Sequence, residues 1–278
     1  MTCPICSSTA VDFCKNGSYA LHYCTQCTAI WTPTVVSTEY YSHQYQLVHQ
    51  LSDFEHQRRY IERLPEQWKL LSTIEQFSKG KNLLDIGCDF GHFLDIARRN
   101  GYYVTGVEPS KTARAYCSQI GIETYKEIRD LPLKKYDVIT LWHCLEHIEF
   151  PVQFLLQIAS KHCSNETIIC IRVPNYYSLP SKLFKSKWIW FQPKQHHLHF
   201  TKKSLHNALE LAGFEVKFLQ SQRPNSLKTI FGSFFALAVE SNYSKRGIMA
   251  TFKAIARSIW HYLNSVELFA IASVKSKN

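Results

Sequence analysis

The apolar positions of this chain fall into two interleaved patterns. Short continuous apolar runs, as expected of strands buried on both faces, alternate with stretches of helical period. Leu83, Leu84 and Ile86 predict a strand. Phe93, Leu94, Ile96 and Ala97 predict the inner face of a helix that Asn100-Gly101 stops. Residues 102–107 read as a second strand, Ser110 as the cap of a helix closing at Gly121, and 123–125 as a short strand. Residues 136–142 are a continuous apolar strand, Pro151 opens a helix to His162, and 167–173 is the next strand. Thr201 caps a helix through Leu205, Leu209 and Ala212 that Gly213 stops, with strands at 214–219 and 268–274 to finish. This alternation predicts a doubly wound α/β domain, whose ligands bind at the carboxyl ends of its strands.

The flanks carry different signals. Cys3-Pro-Ile-Cys6 and Cys24-Thr-Gln-Cys27 are two C-x2-C knuckles at zinc-ribbon spacing. Four thiolates close a tetrahedral zinc site with no position left for substrate, so the metal is expected to be structural. A ribbon of this size buries too little to fold without it. Residues 1–32 therefore read as the ribbon, 33–80 as a connector and 81–278 as the main domain. In the connector, Glu39-Tyr40-Tyr41 begins a polar aromatic stretch, and Ile61, Leu64, Trp68, Leu71 and Ile74 fall at helical spacing, with Pro65 as a helix start. Residues 174–200 read as a long lid loop in which Tyr176, Tyr177 and Trp188 mix with Lys182 and Lys185. Residues 225–264 read as a helical insert, a cap or dimer face, with peripheral membrane contact as its other use.

Candidate chemistry concentrates at 85–110. In Asp85-Ile-Gly87-Cys88-Asp89-Phe-Gly91 the glycines let backbone approach a ligand, a helix N-terminus follows, and Glu108 ends the next strand where it can grip ribose hydroxyls. The stretch resembles motif I and its sequel in the class I S-adenosylmethionine-dependent methyltransferases, with Asp89 standing where the family has its middle glycine. The resemblance implies a Rossmann-like seven-stranded sheet. It also implies that Asp85 holds the methionine ammonium, that Gly87 and Gly91 frame the turn, and that Glu108 takes the ribose hydroxyls. Cys88, Asp89, Pro109 and Trp142 complete that expected cofactor set. Asp tolerates left-handed backbone, so the turn is expected to survive, while a second carboxylate bears on affinity. A ribbon, a tyrosine-bearing connector and a helix ahead of motif I is the order of many bacterial small-molecule methyltransferases.

After the strand at 136–142 comes His143-Cys-Leu-Glu146-His147. It mimics an inverted zinc-protease string, but that motif belongs on a helix of another fold. His147 is the expected general base, since an imidazole titrates near neutrality, with Glu146 or His143 in support. Related small-RNA and ubiquinone-pathway enzymes hold a divalent ion with Glu-x-x-Glu-His here. His143 replaces the first glutamate, and the run His196-His197-Leu198-His199 is a source of another imidazole.

Composition narrows the setting. The 278 residues are 45% hydrophobic and 14% aromatic, as in a globular protein with a substantial core. There is no run of 18 apolar residues and no charged-then-apolar leader, so neither a membrane span nor a signal peptide is expected. Ten cysteines, four of them in metal spacing, suit a reducing, cytoplasmic location. Of the net charge of +10, residues 174–278 carry all the excess, with 15 Lys/Arg against 4 Asp/Glu. The expected acceptor is therefore an anionic small molecule, such as a phosphorylated or nucleotide-linked sugar. RNA is the less favoured acceptor, because Lys15 is the only Lys or Arg between Cys3 and Cys27. The alternative from another class is a catalytically degenerate binding protein.

Overall fold

The computed structural model describes residues 1–16, 19–33, 53–184, 191–222 and 266–275. The Glu39-Tyr40-Tyr41 stretch, the helical insert at 225–264 and the Lys185 and Trp188 part of the lid lie outside the described residues.

Seven strands form the main sheet: β4 (Asn82–Ile86), β5 (Tyr103–Val107), β6 (Thr124–Tyr125), β7 (Tyr136–Trp142), β8 (Cys163–Pro174), β10 (Phe214–Gln222) and β11 (Glu267–Val274). Their order is β10-β11-β8-β7-β4-β5-β6, and β11 runs antiparallel to both its neighbours. The strand order turns between β4 and β7, the switch point at which an open α/β sheet binds ligands. The apolar runs predicted as strands pack here: Leu83, Leu84, Ile139, Leu141, Ile169 and Ile171 are fully buried.

Helices α1 (Asp53–Phe77), α2 (His92–Arg99), α3 (Lys111–Gln119), α4 (Pro151–His162), α5 (Leu179–Phe184) and α6 (Lys202–Leu211) link or cover these strands. The expected punctuation is in place. Ser110 Oγ accepts from Ala113 N, Thr201 and Ser204 form a reciprocal cap, and Gly101, Gly121 and Gly213 take left-handed conformations just past their helices.

Two local expectations change. Pro65 lies inside α1 and does not start a new helix. The ring removes one hydrogen bond to the carbonyl of Ile61, but Ile61 is 57% exposed and water can serve that oxygen. The buried stripe of α1 is accordingly Gln67, Leu70, Leu71 and Ile74, whereas Ile61 and Trp68 face outward. The described residues of the 174–200 segment also include α5 and the two-residue strand β9 (Leu198–His199), where a loop is expected.

Strand β9 belongs to the second sheet. Strands β1 (Ala10–Asn16), β2 (Tyr19–Cys24) and β3 (Ile30–Trp31) of the cysteine ribbon are followed by β9 in the order β1-β2-β3-β9. The ribbon sheet is thus completed from the far end of the chain.

One close approach gives a stability test. A methyl group on Gly106 of β5 would sit 2.6 Å from Cys88 Sγ and 2.9 Å from Thr124 Cγ2. Gly106→Ala is expected to destabilise the chain by about 1–3 kcal/mol, as overpacking of a filled core does. Urea unfolding of both forms measures it.

Candidate active site

The turn after β4 is built from left-handed backbone at Gly87 (φ 79), Asp89 (φ 50) and Gly91 (φ 69). Asp89 tolerates that conformation, so the turn survives without the middle glycine. Gly87 and Cys88 both donate their amides to the Val107 carbonyl, at 2.7 and 3.1 Å, which seats the turn on the end of β5. Gly91 leads into α2, where a β-carbon would lie 2.9 Å from Cys117 Sγ.

Two carboxylates sit at neighbouring strand ends. Asp85 is buried in β4 and accepts one hydrogen bond, 2.7 Å, from the Thr140 hydroxyl of β7. Glu108, buried after β5, accepts from the amides of Asp89 (3.0 Å) and Ser110 (2.8 Å), so it ties the glycine turn to the start of α3. Among the described residues no Lys or Arg pairs with either side chain. Burial, with the Thr140 hydroxyl opposing it and negative Glu108 and Asp89 adding to it, raises Asp85 to about 7. Burial likewise raises Glu108 to about 7, with its two backbone donors and the nearby Arg114 guanidinium opposing and Asp89 adding. Cys88 is buried beside this pair, while Trp142 packs edge-on to Phe93 with its indole nitrogen buried. Arg114 donates to the carbonyls of Glu108 and Pro109, both at 2.7 Å.

The second cluster follows β7. His143 holds left-handed backbone, and Leu145–His147 form a 3-10 turn. That turn touches the first cluster, for a β-carbon on Gly87 would lie 3.2 Å from Cys144 Cβ. His147 Nδ1 lies 2.8 Å from the Gln195 carbonyl. A carbonyl can only accept, so Nδ1 carries a proton in this contact. The rings of His147 and His196 are 5.0 Å apart, and one ligand atom each from Glu146, His147 and His196 lie within 4.8 Å of one another. Glu146 is buried, yet neither of its oxygens receives a hydrogen bond. Its carboxyl lies low despite its burial because His143, His147 and His196 surround it.

The histidine run divides by position. His196 joins the cluster, whereas His197 turns its Nδ1 to the Thr32 carbonyl at 3.4 Å. His197 lines a separate cavity of about 370 Å³ between ribbon and body, walled also by Cys3, Trp31, Phe150 and Leu198. His143 bridges carboxylates, with Nδ1 3.5 Å from Glu146 and Nε2 3.3 Å from Glu267. Burial opposes its charge, but those two acids raise it to about 9. Glu267 in turn pairs with Arg172, which also binds Glu66 of α1. Despite burial, Arg172 and His143 hold Glu267 down to about 2. Sequence reasoning missed Arg172, Glu267 and Gln195. A lone arginine in the apolar run of β8 was the readable signal, since a buried charge requires a partner.

In the ribbon the sulfurs pair at 3.4 Å, Cys3 with Cys27 and Cys6 with Cys24, and all four lie within 4.8 Å. Tetrahedral zinc with bonds of roughly 2.3 Å needs sulfurs about 3.8 Å apart, so the donor set fits. Ser7 and Thr28, each just past a knuckle, share left-handed backbone and donate back to the carbonyls of Cys3 and Cys24.

A family model described as a methyltransferase domain matches residues 54–217. The chain belongs to that methyltransferase family. It is 35% identical over 91 residues to the ubiquinone biosynthesis O-methyltransferase of Aeromonas salmonicida, a match covering 29% of this chain and 38% of that protein. The chain therefore spans well under half the length of the curated relatives it matches. Solved structures share the fold. A SAM-dependent methyltransferase from Archaeoglobus fulgidus aligns with TM-score 0.53 at 23% identity, covering 76% of this chain and 94% of its own. The plantazolicin methyltransferase in complex with SAH aligns with TM-score 0.56 at 18% identity, covering 87% and 95%. The fold is that of the SAM-dependent methyltransferases, and two buried carboxylates outside any salt bridge suit a ligand that brings an ammonium and vicinal hydroxyls.

Raised carboxyls have a cost in the empty protein. Asp85 and Glu108 bind protons more tightly folded than unfolded, so stability is fullest below about pH 4 for these groups and declines as pH rises through about 7. His143 acts in the same sense, losing its contribution as pH rises through about 9. Asp89→Gly removes a carboxylate that raises both acids. It is expected to favour the ligand-free protein more near pH 8 than near pH 4, measured as a shift in urea midpoint against pH.

Proposed function

We propose that the chain transfers a methyl group from S-adenosylmethionine to a small-molecule acceptor, with His147 as general base. The observation that carries this reading is the pair of buried carboxylates Asp85 and Glu108, neither in a salt bridge among the described residues, flanking a glycine turn that abuts the turn bearing His147. When bound, the sulfonium supplies an electrophilic methyl with an excellent leaving group. What the protein contributes is alignment, exclusion of water and a proton acceptor. Asp85 receives the ammonium and Glu108 the ribose hydroxyls, each helped by the ionisation that a cationic ligand favours. His147, with its Nδ1 proton committed to the Gln195 carbonyl, offers Nε2 to the acceptor's proton.

The acceptor class we favour is a phosphorylated or nucleotide-linked sugar, on the strength of the basic excess in residues 174–278. Zinc in the Cys3, Cys6, Cys24 and Cys27 site is part of the same reading. A second reading of the histidine turn is supported by the Glu146 oxygens that receive no hydrogen bond beside His147 and His196. Two imidazoles and a carboxylate suit a divalent transition ion, which would hold an acceptor oxygen and lower its pKa.

Labelled methyl transfer into fractionated extract tests the function, with label expected in the small-molecule fraction. Label in RNA alone would overturn the acceptor class. His147→Ala is expected to lower turnover by about 100-fold or more, the usual worth of a general base, with cofactor affinity within about twofold. Unchanged turnover would remove His147 from the chemistry. Glu146→Gln separates the readings, because only the metal reading predicts loss of Mn2+ binding by the zinc-loaded chain.

A further inference from the structure

The ribbon has no sheet of its own that stands apart from the body. Its third strand, β3, begins three residues after Cys27 and pairs on one side with β2 and on the other with β9. Ile30 stands opposite His199 and Trp31 opposite Leu198. The seam continues past the strands, with Thr32 N donating to the His197 carbonyl at 3.1 Å. At the other end the hydroxyls of Thr28 and Thr201 meet at 2.6 Å. Thr28 follows Cys27 directly, in left-handed backbone and bonded to the Cys24 carbonyl. Thr201 caps α6. From β9 a row of rings runs inward: His199 lies 6.0 Å from His196, and His196 5.0 Å from His147.

The body holds this segment at one end, where Phe200 bridges Asn175 and receives the Tyr176 amide at 2.8 Å. Residues 197 and 198 take their backbone pairing from the ribbon. Gln195, whose carbonyl takes the Nδ1 proton of His147, sits two residues before that seam. A two-residue strand has little stability by itself, and the ribbon that frames it depends on four thiolates brought to one point.

We infer that the cysteine site positions the acceptor-side imidazoles: the knuckles fix β3, β3 fixes β9, and the segment so held sets the tautomer of His147 and places His196 beside it. The cofactor half is built without the ribbon, because Asp85, Glu108 and the glycine turn rest on β4, β5, β7 and α3. The ribbon is thus a wall of the active site, and Thr28, Trp31 and Thr32 are positioning residues. The inference rests on the methyltransferase reading only for the name of the half that His147 serves.

Full-length protein loaded with zinc and the same protein stripped by chelation provide the test. Imidazole nitrogen NMR reads the His147 tautomer, amide exchange reads residues 196–201 and 83–86, and calorimetry reads SAH affinity. Stripping is expected to abolish the Nδ1–H signature of His147 and to speed exchange at 196–201 by about tenfold or more. Exchange at 83–86 and SAH affinity should stay within about twofold. An unchanged tautomer overturns the inference, and so does equal collapse of both halves. Thr28→Val, which keeps the cysteines and loses the 2.6 Å bond to Thr201, guards against loss of the stripped protein. With zinc bound it should speed exchange at 198–201 severalfold, and no change there overturns the inference as well. If the zinc-loaded protein binds no SAH, the methyltransferase reading fails while the tautomer and exchange results still decide the ribbon's role.

Discussion

Two buried carboxylates at the ends of adjacent parallel strands, neither in a salt bridge among the described residues, are the constraint on which the rest of the site depends. Taking a carboxylate out of water is expensive unless something answers its charge. Asp85 has one hydroxyl for this and Glu108 two backbone amides, and both remain raised to about 7. Everything around them can be understood as the means of keeping them in place. Gly87 and Cys88 hang on Val107, Ser110 both caps α3 and serves Glu108, and Thr140 reaches across from the neighbouring strand.

The other half of the site resolves the same problem differently. Glu267 and Glu66 are matched internally by His143 and Arg172, and Glu146 lies among His143, His147 and His196 without receiving a hydrogen bond. The contrast is between acids that face cations within the protein and a pair that forms no salt bridge among the described residues. Both ring nitrogens of His143 face carboxylates. One nitrogen of His147 is committed to a carbonyl.

Much of this was legible in the sequence, for reasons that are physical. Asp85, the turn and Glu108 are local in the chain, and strand period, glycines and distance to the next acid carry the information. Helix stops were readable because Gly101, Gly121 and Gly213 each occupy a conformation that other residues avoid. What was hidden is what depends on contacts remote in the chain. The pairing of Ile30 with His199 involves two strands of two residues each, too short for any periodicity. The choice between His196 and His197 turns on which one the ribbon seam draws away. Pro65 misled because its helix continues where the orphaned carbonyl faces water.

Calorimetric titration of the zinc-loaded chain with S-adenosylhomocysteine tests the central claim most directly. At about pH 8, where both carboxyls should ionise readily given values near 7, the account predicts saturable one-site binding. Replacing Glu108 by Ala should weaken it about tenfold or more, the worth of hydrogen bonds to a charged group. Affinity of the native chain should fall as the pH drops below 7. Absence of binding at millimolar ligand, or binding indifferent to the loss of Glu108, would contradict the account.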